Sequence, residues 1–313
     1  MKLALITGAR GFVGRHLARS LQQQGIKVYG LGHGAWTEFE RATWGMGYWL
    51  NGEVSKRNLD IMQADIGKPD VVFHLAGGSS VGPSLAAPEE DFRRSVLSAS
   101  ELLEWARLAA PGVRLVLASS AAVYGTGHSQ AIAEDVALDP YSPYGTNKRI
   151  AEELFKSYGK NFGLNVAIVR LFSVYGPELR KQLLWDSCSH LAVDDSRLLL
   201  GGGGNEARDW IHVGDAAALL QLAANHGSPN CFVVNGGVGV SVSVRQVAEQ
   251  LCTAWGTGTQ LEFSGKSRAG DPQYLVANVA RAAGLGFVPQ LGWQAGVADY
   301  VAWFKRANAQ VGA

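Results

Sequence analysis

The chain has 313 residues and a formal net charge of +1, from 28 Lys and Arg against 27 Asp and Glu. A balance this close to neutral gives no overall field that would attract nucleic acid or an acidic membrane, so local groups must bind any anion. No apolar run approaches the roughly 20 residues of a membrane span, and the three widely separated cysteines argue against a disulfide framework or a metal site, so we expect a soluble, cytoplasmic protein.

The first 32 residues predict a β-α-β unit. "KLALIT" is typical of a buried strand, "GFVGRHLARSLQQQG" of an amphipathic helix and "IKVYGL" of a second strand. Between the first strand and the helix, Gly8, Gly11 and Gly14 allow a tight turn, a close approach of pyrophosphate to the backbone, and close helix-strand packing. The free amides at the helix N-terminus attract the same anion, so this turn predicts a dinucleotide site.

Strands and helices continue to alternate up to about Leu171. The segments "DVVFHLAG", "VRLVLASS" and "NVAIVRLF" predict strands, and the long segments between them, "EEDFRRSVLSASELLEWARLAA" and "YGTNKRIAEELFKSYGKNFG", predict helices. Alternation at these lengths predicts an α/β fold of the Rossmann type, with a doubly wound, mostly parallel sheet covered on both faces.

After Leu171 the pattern loosens. "WDSCSHLAVDDSRLLLGGGGNEARDW" and "GTGTQLEFSGKSRAGDPQYL" are predicted to be rich in loops, whereas "VGDAAALLQLAAN" and "QAGVADYVAWFKRANA" predict helices. Because no linker is visible, we expect a dinucleotide-binding domain over 1–171, to which elements near 207–238 return. Residues 172–313 then form mainly a smaller, interwoven substrate-binding lobe.

A candidate catalytic pair lies in "YGTNK", where Tyr144 and Lys148 are four residues apart on one face of a predicted helix. A nearby ammonium and an oxidised nicotinamide both favour the phenolate of a tyrosine, whose ordinary pKa is about 10. Tyr144 could then take a proton from a substrate hydroxyl as hydride leaves the same carbon, while Lys148 also holds the nicotinamide ribose. Upstream, a strand ends in Ser119 and Ser120, which either stabilise charge at the reacting oxygen or are ordinary turn serines.

Three motifs in this order, "TGARGFVG", "HLAGG" and "SSAAVYG" followed by "YGTNK", resemble the NAD-dependent epimerase/dehydratase family of the extended short-chain dehydrogenase/reductase superfamily. The resemblance implies nucleotide-sugar chemistry and a catalytic set of Ser120, Tyr144 and Lys148. His74 is expected to be structural. The residues expected at the cofactor are Gly8, Arg10, Gly11, Phe12, Val13, Gly14, His33, Leu75, Ala76, Gly77, Tyr144 and Lys148.

The C-terminal half contains segments similar to those with which the family binds a nucleoside diphosphate. These are "GNEARDWIHVGDAA", "RLFSVYGP" and "SRAGDP", although a surface salt bridge is the alternative for each arginine in them. The residues expected at a nucleotide-diphosphate sugar are Ser79, Tyr124, Ser173, Arg208 and Arg268. Ser173 and Ser95 stand where the family usually has Asn, which shortens one donor to the diphosphate and puts one structural or cofactor-side hydrogen bond in doubt.

The resemblance also places the acidic residue of NAD-preferring members at or beside Gly32, where "GLGHG" has none. A carboxylate there binds the ribose hydroxyls and repels a 2′-phosphate, so its absence removes the main barrier to NADP. His33 and Arg10 could both approach such a phosphate. We therefore predict NAD(P) as the cofactor, with NADP favoured over NAD. The Trp-rich segment 36–49 fits two roles, covering the adenine or packing on the first helix.

Dehydration is disfavoured because family dehydratases carry Asp-Glu directly after the catalytic Ser or Thr, where this chain has Ala121 and Ala122. An epimerase, similar to UDP-glucose 4-epimerase, and an NADPH-dependent 4-ketoreductase remain. "SSAAVYG" looks most like the epimerases, so that function is favoured. A non-catalytic dinucleotide-sensing protein is a further alternative, although it does not require Tyr144 or Lys148.

The resemblance finally implies a homodimer joined through helices around residues 92–110 and 145–160. The apolar positions in these helices are equally consistent with packing on the protein's own sheet. These positions are Val96, Leu102, Leu103 and Leu154.

Overall fold

The computed structural model describes residues 1–266 and 272–309 of the chain. Its strands are β1 (Leu3–Thr7), β2 (Lys27–Gly32), β3 (Tyr48–Asn51), β4 (Val71–His74), β5 (Arg114–Ser120), β6 (Asn165–Leu171), β7 (Ser173–Tyr175), β8 (Arg197–Leu200), β9 (Ala207–Arg208), β10 (Trp210–His212), β11 (Phe232–Gly236), β12 (Val242–Ser243), β13 (Gln260–Phe263) and β14 (Tyr274–Leu275). Its helices are α1 (Phe12–Gln23), α2 (Glu38–Thr43), α3 (Lys56–Ile66), α4 (Val81–Ala86), α5 (Pro88–Phe92), α6 (Ser98–Ala109), α7 (Pro143–Phe162), α8 (Gln182–Leu191), α9 (Val213–Ala223), α10 (Val244–Trp255), α11 (Ala280–Gly284) and α12 (Trp293–Ala309).

The central sheet has seven parallel strands in the order β11-β6-β5-β4-β1-β2-β3. Successive side chains of a strand face opposite sides of a sheet. In β1, Ala4 and Ile6 therefore join the core beneath α1 and α9, whereas Leu5 joins the core beneath α3, α6 and α7. The doubly wound Rossmann-type sheet predicted from the sequence is confirmed.

The chain beyond Leu171 contributes to both parts of the molecule. β11 pairs with β6 at the edge of the central sheet, and α9 packs against α1. Three other helices, α8, α10 and α12, surround a separate core that includes Leu184, Val247 and Val301. This C-terminal lobe also contains two small sheets, one of β8 and β13 and one of three strands in the order β12-β9-β14.

One sequence prediction of local structure is wrong, and another is confirmed. The loop-rich prediction from Trp185 onward fails because α8 runs to Leu191 and β8 follows it. The buried stripe of α8 includes the small residues Ser187 and Cys188, which hide its apolar periodicity in the sequence. The predicted long helix after β4 is confirmed, because α5, a π-helical turn at Arg93–Leu97 and α6 follow one another without a break.

The apolar positions considered for a dimer interface contact the protein's own core. Val96, Leu102 and Leu103 are buried, and Leu154 packs partly buried against the same core. These side chains therefore do not form an exposed surface. Other apolar residues of α6 and α7 are exposed, namely Leu108, Ile150 and Phe162. Within residues 1–266 and 272–309, no helix has both the length and the apolar character needed to cross a membrane.

Candidate active site

The glycine turn between β1 and α1 has the backbone geometry that a dinucleotide requires. Gly8 has φ +70°, and a Cβ at this position would lie 2.7 Å from the backbone nitrogen of Ala76. At Gly14 a Cβ would lie 2.6 Å from the Gly8 carbonyl oxygen. Gly11 caps α1 without a side-chain hydrogen bond, and the first turn holds no acidic residue, so the amides there are available to an anion. The turn therefore fits a pyrophosphate.

A cleft of about 1640 Å³ opens at the carboxyl ends of the central strands, between the sheet and the C-terminal lobe. This is where open α/β sheets bind ligands. Arg268 lies outside the described residues. Of the other predicted site residues, those that line the cleft are Gly8, Arg10, Gly11, Phe12, Val13, Gly14, His33, Leu75, Ala76, Gly77, Ser79, Ser120, Tyr144, Lys148, Ser173 and Arg208.

The predicted catalytic side chains meet at the start of α7. Ser142 caps this helix by accepting a hydrogen bond from the Gly145 amide, and Tyr144 and Lys148 follow in its first turns. The Ser120 side chain lies near Tyr144 and acts to lower the pKa of its hydroxyl. The Lys148 Nζ donates to the Ala118 carbonyl at 3.0 Å and lies 5.9 Å from the centroid of the Tyr144 ring. The structure therefore brings the three side chains together at one part of the cleft.

Burial controls the protonation of this group. It lowers the pKa of Lys148 to about 8, although the carboxylates of Asp91 and Glu152 act in the opposite direction. Burial also raises the pKa of Tyr144, while the Ser120 side chain opposes that rise. Tyr144 is accordingly a phenol at neutral pH, and a positive charge beside it would be needed to make it a base.

Tyr124 does not line the cleft, so its predicted role as a pocket residue is corrected. Its side chain is only 1% exposed, and its hydroxyl donates to Asn235 Oδ1 at 2.6 Å and accepts from Arg170 Nη1 at 3.0 Å. The 3₁₀ turn Ala121–Tyr124, which follows β5, carries the ring into this buried network.

Ser119 belongs to the same buried network as Tyr124. Its hydroxyl donates to Glu152 Oε1 at 2.6 Å, and Glu152 forms an ion pair with Arg170 at 2.8 Å. Both serines line the cleft, but the hydroxyl of Ser119 is bound to the buried network.

At the other end of the cleft, a tryptophan fills the space beside Gly32. A Cβ on Gly32 would lie 3.1 Å from Cη2 of Trp49, whose indole nitrogen donates to the Gly34 carbonyl at 3.1 Å. The Arg10 guanidinium lies against Gly34, where a Cβ would be 2.6 Å from Nη1. The end of β2 thus presents an indole and a guanidinium, with His33 also lining the cleft.

The Trp-rich segment is divided between the cleft and α1, and its covering of an adenine stays a prediction. Trp49 lines the cleft, and the Trp36 ring packs edge-on against it with a centroid distance of 5.3 Å. Trp44 instead packs on α1, where its ring lies 5.1 Å from that of His16.

The serines at the usual Asn positions retain polar roles. The Ser95 hydroxyl accepts a hydrogen bond from the Gly78 amide at 2.9 Å, so the bond that the substitution put in doubt is present. Ser173 lines the cleft. His74 is structural as expected, because Thr7 contacts its Nδ1 at 2.8 Å and burial lowers its pKa to about 3.

Several cleft residues had not been predicted from the sequence, among them Glu53 and Lys181, whereas Trp49 belongs to the Trp-rich segment for which a place over the adenine was one alternative. Trp49 belongs to the four-residue edge strand β3, and Glu53 follows it. The short apolar run "YWL" before Gly52 was a usable strand signal for these two residues. Lys181 precedes α8, and only the folded chain brings it to the cleft.

Comparison with known proteins identifies similar sequences and structures. The model of the NAD dependent epimerase/dehydratase family matches residues 4–235. A UDP-glucose 4-epimerase from Azospirillum brasilense is 31% identical, covering 92% of this chain and 86% of its own length. The UDP-glucose 4-epimerase of Mycolicibacterium smegmatis is 30% identical, covering 97% of this chain and 99% of its own. The solved structure of MoeE5 with UDP-glucose and NAD has a TM-score of 0.85 and 31% identity, covering 97% of this chain and 99% of its own.

Proposed function

Because the chain belongs to the NAD dependent epimerase/dehydratase family, we propose that it is an NAD(P)-dependent epimerase of nucleotide sugars. The observation that carries this proposal is the convergence of Ser120, Tyr144 and Lys148 on one cleft. The residues after Ser120 are Ala121 and Ala122, which supply no acid or base for a dehydration. The named relatives, UDP-glucose 4-epimerases, support a UDP-sugar as the substrate.

Each catalytic side chain has a distinct task in the proposed reaction. A bound nicotinamide supplies the hydride acceptor, and its positive charge favours the Tyr144 phenolate. Tyr144 takes the proton of the C4 hydroxyl as hydride leaves the same carbon, and Ser120 stabilises the oxygen by hydrogen bonding. Lys148 lowers the cost of the phenolate by its charge. Return of proton and hydride after the keto sugar has turned gives the C4 epimer.

The substrate is proposed to lie along the cleft toward the C-terminal lobe. Ser79, Ser173 and Arg208 line that part, and Arg208 Nη1 also donates to the Ala207 carbonyl at 2.9 Å. A planar guanidinium suits a diphosphate because two donors can bind it together. Arg268 remains a proposed phosphate contact from the sequence.

The cofactor is proposed to be NADP in preference to NAD. Gly32 presents no carboxylate to repel a 2′-phosphate, and Arg10 supplies a cation beside Gly34. MoeE5 was solved with NAD, so the preference is a claim about this chain alone. Titration of the protein with each dinucleotide checks it. Arg10→Gln is expected to weaken NADP binding and leave NAD binding nearly unchanged, and tighter binding of NAD by the unmodified protein would refute the preference.

The lack of a carboxylate at Gly32 also favours a second candidate, an NADPH-dependent 4-ketoreductase. That enzyme would use Ser120, Tyr144 and Lys148 in the reverse sense, with the phenol of Tyr144 giving its proton to the keto oxygen. The two candidates differ in what they consume. An epimerase regenerates its cofactor in every turnover, whereas a reductase uses one NADPH for each product.

Incubation of the purified protein with UDP-glucose and catalytic NAD or NADP tests the proposal. We expect UDP-galactose to form without a net change in absorbance at the nicotinamide band, and Tyr144→Phe to abolish the conversion. Dependence on stoichiometric NADPH with a 4-keto sugar would replace the epimerase by the reductase. Dinucleotide binding without turnover of a panel of nucleotide sugars would favour a sensing protein. The homodimer and the cytoplasmic location stay predictions.

A further inference from the structure

A lysine from the C-terminal lobe reaches across the cleft to the dinucleotide-binding part. Lys181 lies just before α8, and its Nζ donates to the Ser79 hydroxyl, which follows β4, at 2.9 Å. Both residues line the cleft. The Lys181 ammonium therefore stands inside the space proposed for the nucleotide sugar, between its two walls.

This ammonium has no acidic partner in the described part of the chain, since no carboxylate there lies within 4.0 Å of Nζ. The nearby carboxylate of Glu178 contacts Arg15 at 3.3 Å and Arg180 at 3.7 Å instead. Burial lowers the pKa of Lys181, and no nearby carboxylate counters that effect. A half-buried cation paired only with a neutral hydroxyl is unfavourable unless a ligand supplies the counter-charge.

The backbone on both sides of Lys181 is held in an uncommon conformation. Glu178 has φ 74° and Gln182 has φ 67°, although neither is glycine. Such left-handed residues persist only where the surrounding structure imposes them, and they concentrate at ligand sites. Glu178 is fixed in addition by a hydrogen bond from the Trp303 indole. The segment therefore presents Lys181 to the cleft from a constrained loop.

We propose that Lys181 binds an anionic oxygen of the nucleotide sugar. The site then favours ligands that carry this anionic oxygen over ligands that lack it. This inference rests on the proposed nucleotide-sugar function. Two groups carry such an oxygen, the diphosphate present in every nucleotide sugar and the C6 carboxylate present only in a hexuronic acid. A lysine ammonium has three N–H donors, and Ser79 accepts from one of them, so the others are available to either group.

Calorimetric binding to Lys181→Met tests the proposal, because methionine keeps the length and apolar character of the side chain and removes the charge. The ligands are uridine, UDP, UDP-glucose and UDP-glucuronic acid, each added to protein saturated with NADP. Lys27→Met, at an exposed position at the start of β2, is the matched control for loss of one positive charge. We expect Lys181→Met to weaken at least one anionic ligand by about 10- to 100-fold, as is usual for a charged hydrogen bond.

The pattern across the ligands identifies the group that is bound. Equal losses for UDP, UDP-glucose and UDP-glucuronic acid assign Lys181 to the diphosphate, and a loss confined to UDP-glucuronic acid assigns it to the carboxylate. Unchanged binding of all three by a folded Lys181→Met protein would overturn the proposal. An equal loss for uridine would overturn it too, because uridine carries no anionic oxygen.

Two further variants separate charge recognition from a structural role. Lys181→Arg keeps the charge and is expected to bind within about threefold of the unmodified protein, a change well under one tenfold step in affinity. Ser79→Ala removes the bond across the cleft and keeps the ammonium, so we expect a smaller loss than with Lys181→Met. Equal losses of affinity in Ser79→Ala and Lys181→Met would mean that Lys181 only holds the two walls of the cleft together, and would refute the inference. Because binding and epimerisation are measured in separate assays, a protein that binds through Lys181 but does not epimerise contradicts only the proposed function.

Discussion

Replacement of Gly32 by Asp is the sharpest test of the cofactor preference, because it introduces the carboxylate that the end of β2 lacks. A Cβ at this position would lie 3.1 Å from Cη2 of Trp49, so the indole must shift by a few tenths of an ångström. Overpacking of this kind costs about 1–3 kcal/mol. Gly32→Ala introduces the same Cβ without the charge and is therefore the matched control for the steric part.

The difference between the two variants isolates the carboxylate. A charged hydrogen bond to the ribose hydroxyls is worth about 1.5–3 kcal/mol, so Gly32→Asp should bind NAD about 10- to 100-fold more tightly than Gly32→Ala. Two unit charges about 4 Å apart at an effective dielectric constant of ~20 interact by about 4 kcal/mol. Repulsion of the 2′-phosphate should thus weaken NADP binding by on the order of 100- to 1000-fold.

Calorimetric titration of the three proteins with NAD and NADP measures both effects, and thermal unfolding reports the steric cost separately. Equal affinity of Gly32→Asp and Gly32→Ala for NADP would refute the reasoning, because the 2′-phosphate would then lie away from Gly32. A large loss of affinity for both cofactors in Gly32→Ala would instead show that the Trp49 indole cannot move to make room for a Cβ.

Three further predictions concern buried ionisable groups. Glu152→Leu should lower the free energy of unfolding, measured in urea, by about 3–5 kcal/mol because it leaves the buried guanidinium of Arg170 unpaired. Adding Arg170→Met to this variant should recover part of the loss, and an additive loss in the double variant would contradict the reasoning. The turnover rate should fall as pH rises through about 8, where Lys148 loses its proton, and a flat profile from pH 7 to 10 would contradict that role. Burial lowers the pKa of His74 to about 3, so the folded protein keeps it neutral while the unfolded chain protonates it below its ordinary value of 6.5. The contribution of His74 to the free energy of unfolding is therefore fully present above about pH 6.5 and falls by about 1.4 kcal/mol per pH unit toward pH 3. In His74→Gln the free energy of unfolding should depend on pH less steeply, by the amount due to one bound proton.

The parts of the fold and site that the sequence predicted are those with a local signal. The turn around Gly8 and the pair Tyr144 and Lys148 have their spacing set within one strand-helix connection or one helix, so their relative positions follow from the chain itself. Five strands of the central sheet, β1, β2, β4, β5 and β6, were predictable because buried strands read as continuous apolar runs.

The parts that could not be predicted depend on side-chain direction or on contacts between distant segments. Tyr124 follows β5 by only four residues, yet a 3₁₀ turn decides that its hydroxyl meets Asn235 and not the cleft. Lys181 and Ser79 are separated by 102 positions, and their contact exists only after the C-terminal lobe has packed beside the sheet. Lys181 lies outside the motifs that carry the family resemblance, so the resemblance gave no expectation for it.

The two candidate reactions place opposite demands on the cofactor, and the structure bears on that difference. An epimerase needs the same dinucleotide for both hydride transfers, whereas a reductase must exchange it after each product. Glu178 joins Arg15 of α1, at 3.3 Å, to the Trp303 indole of α12, at 3.3 Å. This bridge connects the helix that follows the phosphate-binding turn to the C-terminal lobe, and Glu178 itself lines the cleft. We expect a dinucleotide bound at the turn to leave more slowly past these contacts than from an open groove, and slow release of the cofactor would favour the proposed epimerase over the reductase.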